Sequence, residues 1–494
     1  MTTATARVDP ARVLDQAIAA LNAPGAQLPL ADVERALGVA PNDPRLWHVK
    51  GLIHRLQDRR ELALPALRRA VELAPNEPLI VHGLAKTSLE AGLPSVDLFA
   101  HAMKVNPNKP EVVRGLVAAL LAEGRAEDAV AGLESALRRS PLWTEGHGLL
   151  AAMRWAEGER EGFTRGFDEA LVEHPNSMEL RRDQLVLLVE ARHFDDAMAR
   201  VEDGKRRFGD HVLFASHEAA IRSESGDLDA ADRLFTELAA LDFANIEMWH
   251  VRHLLRSGRA AEASALMDRW LDTADQDLFW PYAATAWRIT GDGRSEWLEG
   301  DDRFVGVYDI GDRLPSLDRL AETLRKLHVS KSEFLSQSVR GGTQTDGNLF
   351  HRIEPDIVAL REAVRAAAAE HAARLPPVDA AHPLLRHRPE RIQFTGAWSV
   401  RLLAGGFHSN HVHPAGWLSS AFYVVLPPDV GRDEAGWLTL GGAHAELGVD
   451  VPPHRVIEPR PGRLALFPSW MWHGTRPFGE GERMTVAFDV ARTG

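Results

Sequence analysis

The chain lacks several residue types and patterns that would assign it to common functional classes. It contains no cysteine, which excludes disulfide bonds, thiolate zinc sites, cysteine-held iron–sulfur clusters and thiol nucleophiles. Excess positive charge is also missing, because 57 lysines and arginines stand against 70 aspartates and glutamates, a net charge of −13. This balance predicts no nucleic-acid partner. There is no run of about 18 apolar residues either, so we expect no membrane span.

The N-terminal segment gives no indication of export. Residues 1–12 lack the basic stretch followed by an apolar stretch that marks a secretory signal peptide. Hydrophobic residues make up 45% of the chain and charged residues 26%, which are ordinary values for a soluble globular protein. We therefore predict a cytoplasmic protein, and the chain length of 494 residues favours two or more structural units.

The first part of the chain, residues 10–298, is dominated by a helical pattern that repeats about every 34 residues. Apolar residues recur at spacings of three and four, as expected of amphipathic helices. The repeat is marked by turn or helix-breaking residues at Pro41, Pro75, Pro107, Pro141, Pro175, Gly209, Phe243 and Asp277. This regularity predicts an α-helical superhelix in which each helix pair buries its apolar face against its neighbours.

The repeating unit resembles the tetratricopeptide repeat. Residues 44–75 match it best, with the signature residues Trp47, Gly51, Ala63, Ala70 and Pro75 at the expected offsets. The resemblance implies either a groove that binds a peptide or protein, or an arm that positions or dimerises the second part of the chain. An oligomer formed through the array is compatible with both interpretations.

The second part, residues 303–494, changes to short segments with period-2 alternation. These segments span residues 397–403, 420–426, 437–440, 463–467 and 483–490, and turns rich in glycine or proline separate them. Two amphipathic helices are predicted before them, at residues 317–327 and 356–375, and residues 300–312 are interpreted as a junction. Many short strands with such turns predict a jelly roll, so the fold class is α + β, with a helical array followed by a β domain.

Three histidines and an arginine carry the chemistry predicted for this second part. In an extended segment His411 and His413 point to the same face, because side chains alternate along a strand. Two such imidazoles need a third ligand, and His473, which follows a later predicted strand, is a candidate for it. Arg483 opens the last predicted strand, and Thr485 shares its face. We therefore predict a metal site made of His411, His413 and His473.

In order and spacing these residues resemble the 2-oxoglutarate/iron(II) oxygenase superfamily, in particular its branch often fused to tetratricopeptide repeats. The resemblance is carried by residues 338–345, 411–420, 460–473 and 482–485. It implies a double-stranded β-helix with Fe(2+) and 2-oxoglutarate as cofactors. His411 and His473 match the two iron-binding histidines. Arg483 and Thr485 match the pair that binds the distal carboxylate of 2-oxoglutarate, and Tyr423 matches a tyrosine that often touches it.

One ligand position departs from the superfamily pattern. His413 stands where a carboxylate is expected, and three neutral imidazoles suit zinc, copper or iron alike. Three-histidine sites also occur in dioxygenases that use no keto acid. His408 has an odd offset from His411 and is predicted to face away from the site, unless a bend at Ser409 and Asn410 reverses it.

Aromatic and amide side chains near the histidines are candidates for a substrate pocket. Trp472 adjoins His473, Gln393 and Trp398 lie on an early strand, and residues 340–345 are interpreted as a wall of the site or as a structural turn. Asp489 shares a strand face with Arg483 and is a candidate either for a buried position near the site or for a surface position at the end of the strand.

The leading hypothesis is an iron(II)- and 2-oxoglutarate-dependent oxygenase that hydroxylates a peptide or protein side chain recruited by the array. Two alternatives are open. One is a repeat-based interaction module whose β domain binds metal without turnover, and the other is a three-histidine dioxygenase that does not use 2-oxoglutarate.

Overall fold

The computed structural model describes residues 8–23, 26–107, 109–330, 334–335, 337–428, 430 and 433–492. Up to residue 299 the described chain is helical, with short turns between helices. The helices are α1 (Pro10–Leu21), α2 (Leu30–Val39), α3 (Pro44–Leu56), α4 (Arg60–Leu73), α5 (Pro78–Glu90), α6 (Val96–Val105), α7 (Pro110–Ala122), α8 (Ala126–Arg139), α9 (Thr144–Ala156), α10 (Arg165–Glu173), α11 (Met178–Glu190), α12 (Phe194–Phe208), α13 (Val212–Glu224), α14 (Leu228–Leu238), α15 (Ala244–Arg256), α16 (Ala260–Met267), α17 (Trp280–Thr290) and α18 (Arg294–Glu299).

Local sequence signals explain where these helices begin and how closely they pack. The Asp43 carboxylate accepts a hydrogen bond from the backbone N–H of Arg45 at 2.9 Å, and Pro44 occupies the first turn of α3. Gly51 faces Leu67 of α4, and a Cβ at this position would lie 2.5 Å from Leu67 Cγ. The small residue of the repeat signature therefore lets α3 and α4 approach closely, as the sequence predicts.

By its internal contacts the chain divides into two compact units. One comprises Met1–Ser140 and Gly347–Val358, and the other comprises Pro141–Asp346 and Ala359–Thr493. The change from helices to strands, between Glu299 and Gly306, lies inside the second unit. The later repeats thus share a compact unit with the β domain, and a domain boundary between residues 298 and 303 stays a prediction.

The strands of the β domain form an antiparallel sheet, nine-stranded over the described residues. The strands are β1 (Gly306–Asp309), β2 (Val339–Gln344), β3 (Phe394–His411), β4 (Gly416–Val425), β5 (Leu438–Leu440), β6 (Arg455–Ile457), β7 (Arg463–Pro468), β8 (His473–Thr475) and β9 (Arg483–Ala491). The order of the strands in the sheet is β1-β7-β4-β9-β3-β8-β5-β6, and β2 pairs with β3 off this path. Two further helices, α19 (Leu317–Arg325) and α20 (Pro355–Arg374), lie between β1 and β3 in the sequence.

The long strand β3 connects two parts of this sheet. Residues 394–402 pair with β9, whereas His408 and His411 pair with Thr475 and His473 of β8. A register shift between His408 and His411 bends the strand at this change of partner. The sheet curls as a jelly roll does, and a buried apolar cluster that includes Tyr423, Leu438 and Phe467 fills its interior.

Two segments differ from the sequence-based interpretation. Residues 300–312, interpreted as a junction, contain β1, which pairs with β7. Residues 340–345, interpreted as a flexible wall or turn, lie largely in β2, which pairs with β3 across a bulge at Gly341. Both strands are short, and their charged or glycine-rich sequences lack the alternation that reveals a strand.

The last helices of the array contact loops of the β domain within the second compact unit. Arg288 of α17 donates a hydrogen bond to the carbonyl oxygen of Pro452 at 2.6 Å and bonds to that of Gly441. Arg256 of α15 donates to the carbonyl oxygen of Glu446 at 2.8 Å. The loops between β5 and β6 are therefore held by helices that come much earlier in the sequence.

Glu299, at the end of α18, is a buried carboxyl group in the same region. It is 3% exposed, and burial raises its pKa from 4.5 to about 7, although Arg288 and Arg455 act in the opposite direction. The folded state therefore binds a proton more tightly than the unfolded state does. Between these two pKa values, the contribution of Glu299 to stability falls as the pH rises.

We expect Glu299→Gln to remove this dependence. The variant should be more stable than the wild type at pH 8, by on the order of 3 kcal/mol, and about equally stable near pH 4.5. Urea unfolding of both proteins across this pH range measures the difference. A constant difference in unfolding free energy from pH 4.5 to pH 8 would contradict the prediction.

Candidate metal centre

The structure brings His411, His413 and His473 together. Each offers one ring nitrogen, and the three nitrogens lie within 4.8 Å of one another. His411 ends β3 and pairs directly with His473 at the start of β8. His413 lies two residues after His411 in the sequence. Nitrogens that share one metal at about 2.1 Å lie at most about 4.2 Å apart, so small ring movements suffice for binding.

Hydrogen bonds at Nδ1 fix the orientation of each ring. Nδ1 of His411 donates to the carbonyl oxygen of Ser409 at 2.9 Å, and Nδ1 of His473 donates to that of Met471 at 3.0 Å. Nδ1 of His413 donates instead to the Asp489 carboxylate at 2.8 Å. On each ring Nε2 is thereby left without a proton, so its lone pair can bind a metal, which at His411 would replace the contact with the Ser338 hydroxyl.

The protonation of the site also favours a cation. Burial lowers the pKa values of His411 and His473 well below the usual 6.5, and the neighbouring imidazoles lower them further. Both rings are consequently neutral near pH 7, and no proton has to leave before a metal binds.

His408 lies beside the three histidines, although its offset predicts the opposite face. Its ring is nearly parallel to that of His411 at a centroid distance of 5.7 Å, and its Nδ1 lies 3.0 Å from the hydroxyl of Ser338. The bend between His408 and His411 reverses the alternation, and the Asn410 side chain points away to the carbonyl oxygens of Gly442 and Ala443. Burial lowers the pKa of His408 to about 3.

The histidines open into a cavity of about 350 Å³, a size at the lower end for ligand sites. Its wall is mostly apolar or neutral, and among the described residues that line it none is acidic. The lining residues are Gln337, Ser338, Gln344, Trp398, Val400, His408, His411, Val412, His413, Ser420, Ala421, Leu438, Phe467, His473, Gly474, Thr475, Arg483, Thr485 and Ala487.

Arg483 places a buried positive charge on this wall. Its side chain is 2% exposed, and its Nε donates to the carbonyl oxygen of Gly436 at 3.2 Å. Within the described part of the chain no carboxylate forms an ion pair with it, and burial lowers its pKa, opposed by Tyr423. A guanidinium still stays charged at neutral pH, and such a buried charge calls for an anion.

The two other residues predicted to bind the keto acid lie close to Arg483. Thr485 lines the cavity two residues further along β9, on the same face. Tyr423 is fully buried beneath the guanidinium, whose carbon lies 5.2 Å from the ring centroid. Burial raises the pKa of the Tyr423 phenol, so the hydroxyl stays protonated and can donate to an oxygen anion.

The three predicted pocket residues have different positions. Trp398 lines the cavity, with its ring 5.4 Å from that of His413. Gln393 is exposed before the start of β3, outside the cavity, so its assignment to the pocket is corrected.

The assignment of Trp472 to the substrate pocket is also corrected. Its indole N–H donates a hydrogen bond to the carbonyl oxygen of Pro281 at 3.0 Å and lies 3.1 Å from the Thr285 hydroxyl, and both acceptors belong to α17. Because neighbours in an extended chain point to opposite sides, Trp472 faces α17 while His473 faces the cavity.

Sequence reasoning offered Asp489 as a candidate near the site but missed the serine hydroxyls that support the ligands. The hydroxyl of Ser419 donates to Asp489 at 2.6 Å, next to the bond between Asp489 and His413. Ser338 bridges His408 and His411, with its hydroxyl 3.3 Å from His411 Nε2. In the sequence, the even offset between Asp489 and Arg483 is the one signal that places Asp489 near the site. The contact between Ser338 and His408 has no such signal, because it depends on the position of β2 against β3.

These residues fit a metal such as iron(II). Three imidazole nitrogens on one side of a cavity leave further coordination positions open, as catalytic metal sites require. The neutral donor set fits zinc and copper as well, so the fit to iron draws on Arg483 as the group suited to a keto acid carboxylate.

Comparison with known families agrees with this geometry. Residues 396–489 match the family model described as "Putative 2OG-Fe(II) oxygenase", a range that includes all three histidines, Arg483 and Asp489. Residues 96–153 match a tetratricopeptide repeat model. No curated protein matches the chain.

Several solved structures similar to the chain are described as tetratricopeptide repeat proteins. One from Parabacteroides merdae is 12% identical to this chain, and the match covers 50% of this chain and 98% of the solved one, with a TM-score of 0.31. One from Thermus thermophilus is 20% identical and covers 36% and 98%, with a TM-score of 0.25. YrrB, described as having an unusual peptide-binding site, is 16% identical and covers 37% and 95%, with a TM-score of 0.26.

No described helix is long and apolar enough to span a membrane. The chain thus combines a tetratricopeptide repeat region with a domain that matches the 2-oxoglutarate/iron(II) oxygenase family.

Proposed function

We propose that the protein is an iron(II)- and 2-oxoglutarate-dependent dioxygenase that hydroxylates a side chain of a peptide or protein. The observation that carries this proposal is the buried Arg483, which has no carboxylate partner among the described residues and faces the same cavity as the three histidines. A planar guanidinium can bind a carboxylate with two parallel hydrogen bonds.

Each residue has a distinct task in this proposal. His411, His413 and His473 hold the iron, Arg483 and Thr485 hold the distal carboxylate of the keto acid, and Tyr423 supports the guanidinium. Bound iron and 2-oxoglutarate would supply the oxidising chemistry: one atom of dioxygen would go to the substrate and the other to succinate, with release of carbon dioxide. Trp398, Leu438 and Phe467 form an apolar part of the cavity wall beside the histidines.

The repeat region supports a macromolecular substrate or partner. Tetratricopeptide repeats form extended binding surfaces, and a cavity of about 350 Å³ has room for the keto acid and a single substrate side chain rather than a larger group. By analogy with other repeat arrays, the repeat region would recruit this substrate.

Anaerobic titration of the purified protein with iron(II) and 2-oxoglutarate tests the proposal. We expect a visible charge-transfer band that saturates with both components, and slow succinate release on admission of oxygen. Tight zinc binding without keto acid binding would instead support a repeat module with a structural metal.

His413, which stands where a carboxylate is expected, favours one second candidate: a three-histidine dioxygenase without keto acid. In that case oxygen consumption would not depend on 2-oxoglutarate.

A further inference from the structure

The three histidines of the candidate metal centre differ in the kind of group that accepts the Nδ1 proton. His411 and His473 donate their Nδ1 protons to neutral backbone carbonyls, whereas His413 donates to the carboxylate of Asp489. Asp489 is 13% exposed, so the solvent screens this contact only in part. The histidine at the position of the missing carboxylate is therefore the one paired with a carboxylate.

Asp489 is held in place for this contact. It continues the face of β9 that carries Arg483, Thr485 and Ala487, which all line the cavity. The hydroxyl of Ser419 donates to the same oxygen, Oδ1, at 2.6 Å and lies 3.2 Å from His413 Nδ1. Ser419 also lies 3.1 Å from the hydroxyl of Ser469. The carboxylate oxygen is thus fixed against the ring by a small polar network inside the domain.

We propose that Asp489 is a positioning residue that restores, through the ring of His413, the negative charge lost when histidine replaced the carboxylate ligand. The carboxylate keeps the proton on Nδ1, which directs the lone pair of Nε2 to the metal and increases its basicity. The inference deepens the proposed function, on which it rests only for the identity of the metal as iron.

Three variants test the inference by metal affinity alone, with anaerobic iron(II) and with cobalt(II) as an optical probe. Asp489→Asn keeps an oxygen that can accept from Nδ1 but removes the charge. We expect it to raise the dissociation constant for iron(II) by about 10- to 100-fold. His413→Asp alone brings two carboxylates together and should not improve affinity over the wild type. The double variant His413→Asp/Asp489→Asn should bind iron(II) more tightly than either single variant.

The gain in iron(II) affinity expected of the double variant over the single variants distinguishes charge compensation from a structural role of Asp489. If Asp489 only stabilised the fold, the double variant would bind no better than Asp489→Asn, and that result would overturn the inference. Asp309→Asn is the matched control, because the Asp309 side chain is exposed at the end of β1 and pairs with Arg463. Its metal affinity should equal that of the wild type.

A second variant keeps the test informative if Asp489→Asn does not fold. Ser419→Ala removes the hydroxyl that orients the carboxylate and should raise the metal dissociation constant by roughly three- to tenfold. Unchanged affinity in a folded Ser419→Ala or Asp489→Asn protein would refute the inference. These titrations contain no keto acid, so absence of 2-oxoglutarate binding refutes the proposed function without affecting them.

Discussion

Replacing Arg483 with alanine is expected to raise the dissociation constant for 2-oxoglutarate by about 100- to 1,000-fold. Two charge-assisted hydrogen bonds from a buried guanidinium contribute on the order of 3–4 kcal/mol together, which corresponds to this range. Metal affinity should stay near that of the wild type, because Arg483 is not a ligand. The charge-transfer band, titrated with 2-oxoglutarate at saturating iron(II), measures the effect.

Two further variants define what the loss means. Arg483→Lys keeps the charge without the planar fork, and we expect an intermediate dissociation constant. Arg476→Ala is the control, because Arg476 pairs with Glu434, is 40% exposed and does not line the cavity. Equal 2-oxoglutarate affinity in the wild type and Arg483→Ala would place the cosubstrate elsewhere and contradict the prediction.

Removing His411 or His473 is expected to have the second large effect. Loss of a ligand should weaken cobalt(II) or iron(II) binding by at least about 100-fold. Loss of a residue that only hydrogen-bonds to a ligand already weakens metal binding by up to about 100-fold, and a missing ligand should cost more. His408→Ala is the matched comparison, since His408 is half-buried like His411 and its ring stacks with that of His411, but it lies outside the cluster of converging nitrogens. It should retain most of the metal affinity.

Metal content after dialysis, together with optical cobalt(II) titration, distinguishes these variants. The melting temperature of each metal-free variant shows whether the β domain has folded. A His408→Ala protein that loses metal as completely as His473→Ala would mean that four imidazoles share the ion, and would reject the three-histidine site.

Much of the β domain follows from alternation along single strands. The period-2 segments at residues 420–426, 463–467 and 483–490 correspond closely to β4, β7 and β9. The convergence of His411 and His413 has the same origin, because an i, i+2 pair shares a face. The third ligand came from the resemblance and from sequence order, and the structure shows its cause in the pairing of His411 with His473.

The features that were not predicted depend on contacts between distant segments. The side on which His408 lies is decided by a register shift in β3, and a shift of one residue exchanges the two faces of a strand. The direction of Trp472 is set by hydrogen-bond acceptors in α17, which the sequence around Trp472 does not contain. Whether Asp489 contacts a ligand depends on the position of the ligand loop against β9.

The hydrogen bond between Trp472 and α17 also bears on how the protein can be divided. A fragment that begins near residue 300, where the strands start, would lack Pro281 and Thr285 and leave the buried indole N–H beside His473 without its acceptors. An unsatisfied buried donor costs about 1–3 kcal/mol. A fragment that keeps these acceptors has to include α17, and the compact unit that contains α17 and the strands begins at Pro141, so a fragment that follows this unit carries several repeats with it.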